Sequence, residues 1–161
     1  MIKIFVTASV LFIMALAVGC SGNRIYDDYV DLNQGIWHVD SLASFEFNVP
    51  SDTSNYQLSY NIRYAAGYPF YNLYITYYLE DSVGRTISSE LQEIILFDKK
   101  TGKPLGDGLG DLFDREVIIF DGLKFPYQGK YSYKIKQFMR TEELPGIMSL
   151  GLKIEHKTQE N

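Results

Sequence analysis

Polar and apolar positions along this chain fall into short runs of period two, the spacing that places alternate side chains on opposite faces of a β-strand. Over Tyr56–Tyr64 the alternation is unbroken: Tyr56, Leu58, Tyr60, Ile62 and Tyr64 share one face, and Gln57, Ser59, Asn61 and Arg63 share the other. Phe45, Phe47 and Val49 alternate in the same way with Ser44, Glu46 and Asn48. Tyr131, Tyr133, Ile135 and Met139 face away from Lys134 and Lys136, and Met148, Leu150, Leu152 and Ile154 face away from Lys153 and Glu155. Leu73–Leu79 is apolar or aromatic on both faces apart from Thr76, which predicts a central strand covered from two sides. Thr86–Phe97 and Arg115–Phe120 supply further strands, with a short helical turn over Leu91–Phe97 as the alternative for part of the first.

Turn-forming clusters separate these runs: Pro50-Ser51-Asp52, Gly67-Tyr68-Pro69, Asp81-Ser82-Val83-Gly84, Asp121-Gly122, Pro126-Tyr127-Gln128-Gly129 and Pro145-Gly146. Beyond residue 20, no stretch of eleven or more residues keeps a helical period. Strands of this spacing predict an all-β fold, an antiparallel β-sandwich of jelly-roll or immunoglobulin-like type with about eight strands. The sandwich is expected over residues 33–157, behind a polar lead-in at 20–32 and ahead of a frayed tail at 158–161.

The start of the chain has a different pattern. Lys3 is followed by Ile4–Val18, fifteen residues that are apolar apart from Thr7 and Ser9. A bilayer-spanning helix needs about 20 apolar residues, whereas the core of a secretory signal needs only about 7 to 15. Residues 1–19 therefore read as a signal peptide. Leu16-Ala17-Val18-Gly19-Cys20 resembles a bacterial lipobox, with Ala17 where Leu is usual, so Cys20 is the expected lipid attachment point after cleavage before it. Ser21 follows where an Asp would favour retention in the inner membrane, which leads to an expected outer-membrane location.

Composition narrows the chemistry further. With 15 Lys plus Arg against 20 Asp plus Glu, the formal net charge of −5 leaves no cationic excess to neutralise phosphates, so no nucleic-acid partner is expected. The single Cys closes no internal disulfide, and with two His it cannot complete a zinc site of ordinary ligand count. No cofactor is expected.

Four candidate sites stand out. The glycines of Gly102–Asp111 invite a phosphate-loop reading, but no Gly-Lys-Ser/Thr and no following helix are present, and Pro104 follows Lys103 where that helix would start. Asp107, Asp111 and Asp114 offer oxygens for Ca²⁺, although their spacing matches no known loop; an ordered connection with glycines at positive φ is the main expectation. His38 beside Asp40, and the adjacent Glu142 and Glu143, bear on acid–base chemistry, yet neither has the nucleophile or opposed carboxylate that such chemistry needs, so no catalytic residue is assigned. In the loop Tyr64–Tyr74, the rings of Tyr68, Phe70 and Tyr71 are candidates for contact with a partner protein or a glycan, because rings bring large contact area at small entropic cost.

Several of these features occur together in a recognisable order: the lipobox, Trp37, Phe45-x-Phe47, Arg63 followed by Tyr68-Pro69-Phe70-x-Asn72-Leu73, Gly108-Leu109-Gly110-Asp111, Phe125-Pro126-x-x-Gly129-Lys130-Tyr131, Gln137-x-Met139-Arg140, and Leu144-Pro145-Gly146-Ile147 running to Gly151-Leu152. In that order they resemble the gliding motility lipoprotein GldH family of Bacteroidetes over essentially the whole chain. The resemblance implies a non-enzymatic envelope protein, held to the membrane through its N-terminal lipid and associated with gliding and type IX secretion proteins. Only Cys20 carries a role across. Ser21-Gly22-Asn23-Arg24 lacks the acidic cluster of several surface lipoproteins of that phylum, and Asp27 and Asp28 come too late to supply it, so the expected orientation is towards the periplasm. The alternative expectation is a periplasmic glycan- or peptidoglycan-binding module, which predicts exposed, roughly coplanar rings on one concave face flanked by Asn, Gln or Asp and loses most of its support if Tyr60, Tyr64, Tyr74, Tyr131 and Tyr133 are all buried between the sheets.

Overall fold

The computed structural model describes residues 23–157. The signal peptide, Cys20 and the tail at 158–161 lie outside them. Eight strands of eight or more residues carry the fold: β1 (Arg24–Asp31), β3 (Leu42–Val49), β4 (Tyr56–Ala65), β5 (Asn72–Asp81), β6 (Thr86–Ile95), β8 (Leu112–Leu123), β9 (Gly129–Gln137) and β11 (Ile147–His156). Three short strands join them: β2 (Ile36–His38), β7 (Asp107–Leu109) and β10 (Glu143–Pro145). Five strands form one antiparallel sheet in the order β1-β11-β4-β8-β7, and four form the other in the order β3-β9-β5-β6. The pair β2–β10 seats Trp37 opposite Leu144, both fully buried, at the end where β1 finishes. The all-β antiparallel sandwich expected from the sequence is the architecture found.

The period-two faces become the two inner faces of the sandwich. Tyr56, Leu58, Tyr60, Ile62 and Tyr64 of β4 are all buried, as are Phe45, Phe47 and Val49 of β3 and Tyr131, Tyr133 and Ile135 of β9. Across the sandwich, the hydroxyls of Tyr60 and Tyr133 share a 2.7 Å hydrogen bond, and Tyr60 also donates to Gln92 Oε1 at 3.1 Å. Tyr77 stacks on Tyr133 at 5.2 Å and meets Phe120 edge-on at 5.6 Å. The core tyrosines thus bury their rings while their hydroxyls find partners, the condition for placing Tyr inside.

Four expectations need correction. The polar lead-in contains β1, because Arg24–Asp31 pairs with β11 along its length and turns Ile25, Tyr26 and Val30 partly inward. β5 is central within its sheet but covered on one face only: Leu73, Ile75, Tyr77 and Leu79 are buried, while Tyr74 is exposed on the outer face. A register shift between Ile147 and Ser149 flips the start of β11, so Ile147 is buried and Met148 only half so. Met139 lies beyond the end of β9, partly buried in the following turn. β6 is extended through Ile95, which settles the helical alternative for that stretch in favour of strand.

Candidate partner-binding surface

The loop between β4 and β5 is fixed from beneath by Tyr68. Its ring stacks on Phe97 at 6.4 Å, its hydroxyl donates to the Asn72 carbonyl at 2.9 Å, and burial pushes its pKa up. Gly146, at φ +90°, packs against it so closely that a Cβ there would lie 3.0 Å from Tyr68 Cα. Tyr68 is therefore enclosed, which corrects its assignment as a contact ring. Phe70 and Tyr71 are each 40% exposed. The Tyr71 carbonyl accepts the backbone N–H groups of Leu96 and Phe97 at 2.8 and 2.9 Å, and Phe70 meets Tyr68 edge-on at 5.8 Å. Both rings thus stand on a braced backbone.

Two more rings join them. Tyr74 opens the outer face of β5, and its carbonyl accepts the N–H of Phe138 at 2.8 Å. Phe138 is 61% exposed. The turn that presents it is pinned by the buried Gln137, whose amide accepts the N–H of Met139 at 2.7 Å and donates to the Thr141 carbonyl at 2.9 Å. Lys99 places its ammonium 4.6 Å from the centre of the Tyr71 ring, a cation–π contact. The hydrogen bond to Tyr71 holds the Lys99 pKa up. Burial and the Glu93 carboxylate do the same for the Tyr74 phenol. Sequence reasoning passed over Phe138, although the register held the signal: Gln137 continues the inward series of Tyr131, Tyr133 and Ile135, so its neighbour must point out.

The glycine-rich segment forms an ordered connection at the same end. Asp98 caps its first turn, its carboxylate accepting from the N–H groups of Lys100 and Thr101. Gly102 and Gly110 take positive φ, as expected. Gly106 and Gly108 do not; they allow close backbone approach, a Cβ on Gly106 meeting the Asp114 carbonyl oxygen at 2.6 Å. β7 and β8 make a hairpin whose tip holds Leu109 almost fully in solvent, 95% exposed. Asp107 and Asp114 stand opposite each other in that hairpin, but Asp114 is engaged by Arg63. Among the described residues, no group of three or more His, Cys, Asp or Glu side chains is placed to hold a metal, so the calcium assignment to Asp107, Asp111 and Asp114 is not met.

His38 lies opposite Glu143 in the β2–β10 pair, with its Nδ1 at 4.0 Å from Asp40 Oδ2; all three side chains lie on the surface. Four of the five tyrosines whose burial bears on the glycan alternative are enclosed. Tyr60, Tyr64, Tyr131 and Tyr133 are buried, and Tyr74 alone of that set is exposed.

With this geometry in hand, relatives become informative. The profile of the GldH lipoprotein family matches residues 24–154. The chain is similar to a gliding motility lipoprotein GldH homolog from Christiangramia forsetii, at 33% identity over 90% of this chain and 91% of the relative. It is similar to the gliding motility lipoprotein GldH of Flavobacterium johnsoniae, at 31% identity over 88% of this chain and 91% of the relative. A solved 4-O-methyl-alpha-glucuronidase overlaps 88% of the chain with a TM-score of 0.47 and 12% identity. The chain spans 18% of that enzyme's length, and a likeness this loose carries no argument.

Proposed function

The chain belongs to the GldH lipoprotein family, and on that premise we propose that it acts without catalysis, docking other envelope proteins as part of the gliding motility and type IX secretion apparatus. Membership makes it a lipid-anchored, gliding-motility-associated protein of the cell envelope. Cys20 is the proposed lipid site, in the outer membrane and facing the periplasm, where two acyl chains hold a protein stably.

The observation that carries the docking role is the position of the exposed rings. Phe70, Tyr71, Tyr74 and Phe138 occupy the end of the sandwich opposite Arg24, where β1 begins. Cys20 precedes Arg24 by four residues, at most about 14 Å of extended chain. A lipid on Cys20 thus sets the Arg24 end towards the membrane. β1 rises about 3.3 Å per residue, which carries the ring-bearing end roughly 25 Å further out. Rings on a hydrogen-bonded base are already ordered before contact, so little entropy is lost when a partner covers them.

The test is affinity recovery from detergent-solubilised envelopes, using the full lipoprotein with a C-terminal tag. Gliding or secretion proteins are expected in stoichiometric amounts, with less recovered by Cys20→Ser. Combining Phe70→Ser and Phe138→Ser is expected to cut recovery by about tenfold or more. Full recovery with that double variant would remove the rings as the docking surface, and failure to recover any specific protein would remove the docking role itself.

A further inference from the structure

The outer face of the five-stranded sheet, towards the ring-bearing end, is crossed by two adjacent rungs of side chains. In one, Tyr29 of β1 stands beside Gly151 of β11, which pairs with Asn61 of β4. In the next, Asp31, Ser149, Arg63 and Asp114 run across β1, β11, β4 and β8. These groups line an open groove of about 460 Å³. The Tyr29 ring leans over the glycine: a Cβ on Gly151 would lie 2.6 Å from Tyr29 Cε1 and 3.0 Å from Asn61 Cβ.

A ring over a cross-strand glycine restores packing that the glycine lacks, and this explains the Tyr29–Gly151 pair. It does not explain the surroundings. Tyr29 remains 53% exposed. Beside it, Arg63 holds Asp114 through two hydrogen bonds, Nε to Oδ1 at 2.8 Å and Nη2 to Oδ2 at 3.0 Å, and both side chains stay more than half open to solvent. The groove thus offers an aromatic ring bordered by a guanidinium, an amide, a hydroxyl and two carboxylates, each planar or fixed by the sheet.

We infer that this groove binds a neutral saccharide, with Tyr29 as the stacking ring and Asn61, Arg63 and Asp114 as the hydroxyl-reading groups. A sugar has a C–H face that stacks on an aromatic ring and a rim of hydroxyls that donate and accept together, matching such side chains in pairs. Its charge follows from the neighbours. The carboxylates of Asp27, Asp31, Asp114, Glu116 and Glu155 outnumber the cations Arg24, Arg63 and Lys153, each of which is already paired: Arg24 with Asp27, Arg63 with Asp114, and Lys153 with Glu116 and Glu155. Uronic acids and phosphorylated sugars are disfavoured there.

The test follows amide shifts of the isotope-labelled full lipoprotein, in a detergent without a sugar headgroup. It is titrated with neutral trisaccharides of glucose, galactose, mannose and N-acetylglucosamine, and with trigalacturonate as the charged counterpart. At least one neutral trisaccharide is expected to shift the amides of Asn61, Arg63 and Gly151, while trigalacturonate leaves them in place. Tyr29→Ala should abolish the shifts. Arg63→Ala at an exposed position and Asn61→Ala at a half-buried one, both on the outer face and expected to leave the remaining spectrum intact, should each weaken binding about tenfold. The inference is overturned if no neutral trisaccharide moves these amides, if trigalacturonate binds equally well, or if Arg63→Ala and Asn61→Ala bind as the unaltered protein does.

Discussion

At the end of the sandwich where β1 begins, Phe47, Tyr56, Phe125, Tyr127 and Tyr131 turn towards one another, with ring centroids 4.8 to 6.1 Å apart. At the other end, Tyr64, Tyr68 and Phe97 form a similar cluster, but Phe70, Tyr71, Tyr74 and Phe138 are left outside it. Both ends spend aromatic residues on closing the sandwich. Only the second keeps a surplus in solvent and braces it with backbone hydrogen bonds, which separates rings that hold the fold from rings that are available to a partner.

The sharpest way to break this contrast is to truncate one ring of each kind. Phe125→Ala should cost about 3 to 5 kcal/mol in chemical denaturation, because it empties the centre of the first cluster. Phe138→Ala should stay within about 0.5 kcal/mol, as a surface change does. A comparable loss from both would erase the distinction. Next in size is Gly146→Val, which places a branched side chain at positive φ against Tyr68 and should cost about 1 to 3 kcal/mol. Because it acts on the base of the exposed rings, it should also weaken partner recovery, an effect that Phe125→Ala would show only through unfolding.

Alkaline titration probes the enclosed rings together. Burial, with Asp28 adding to it, pushes the Tyr26 phenol up to about 12 from 10.0. Burial also raises Tyr60, Tyr68 and Tyr133. A raised folded-state pKa contributes stability that is complete below the unfolded value of 10.0 and is lost as pH climbs through the folded one. Phenolate absorbance should therefore lag behind that of free tyrosine above pH 10 and then rise together with unfolding. A smooth, non-cooperative titration centred at 10.0 would contradict the enclosure.

The smallest effect is expected at acid pH, at the end with the closed ring cluster. Burial of Asp81 would raise its pKa, but the N–H groups of Arg85 and Val83 hold the carboxylate and outweigh it, so its pKa lies below 3.8. Its contribution is present above 3.8 and disappears as pH falls through the folded value. Stability measured across that range should decline less steeply in Asp81→Asn.

The sandwich was legible because its inner faces alternate strictly, as in Tyr56–Tyr64, where side-chain chemistry and strand period agree. The errors fell where a second influence acts. Arg24–Asp31 looks polar because an edge strand turns most of its side chains to solvent, leaving the apolar signal to Ile25, Tyr26 and Val30. Leu73–Leu79 looks apolar on both faces because Tyr74 and Tyr78 stand on the outer one. The candidate surface was half visible: Phe70 and Tyr71 lie in a loop that advertises itself by composition, whereas Tyr68 and Phe138 exchange roles through tertiary packing that no local pattern encodes.

The pairing of β1 with β11 also bears on mechanical load. β1 starts four residues after Cys20 and runs antiparallel to β11 from Arg24 to Asp31. Tension between a lipid on Cys20 and a partner on the far rings is directed along the strand, at right angles to the hydrogen bonds of the pair. Those bonds are then sheared together and share the force. A pull applied instead between Cys20 and His156, neighbours at the same end of the sheet, opens them one after another. With a lipid on Cys20 and a partner on the far rings, the β1–β11 pair would thus resist a lengthwise load better than a peeling one at its base.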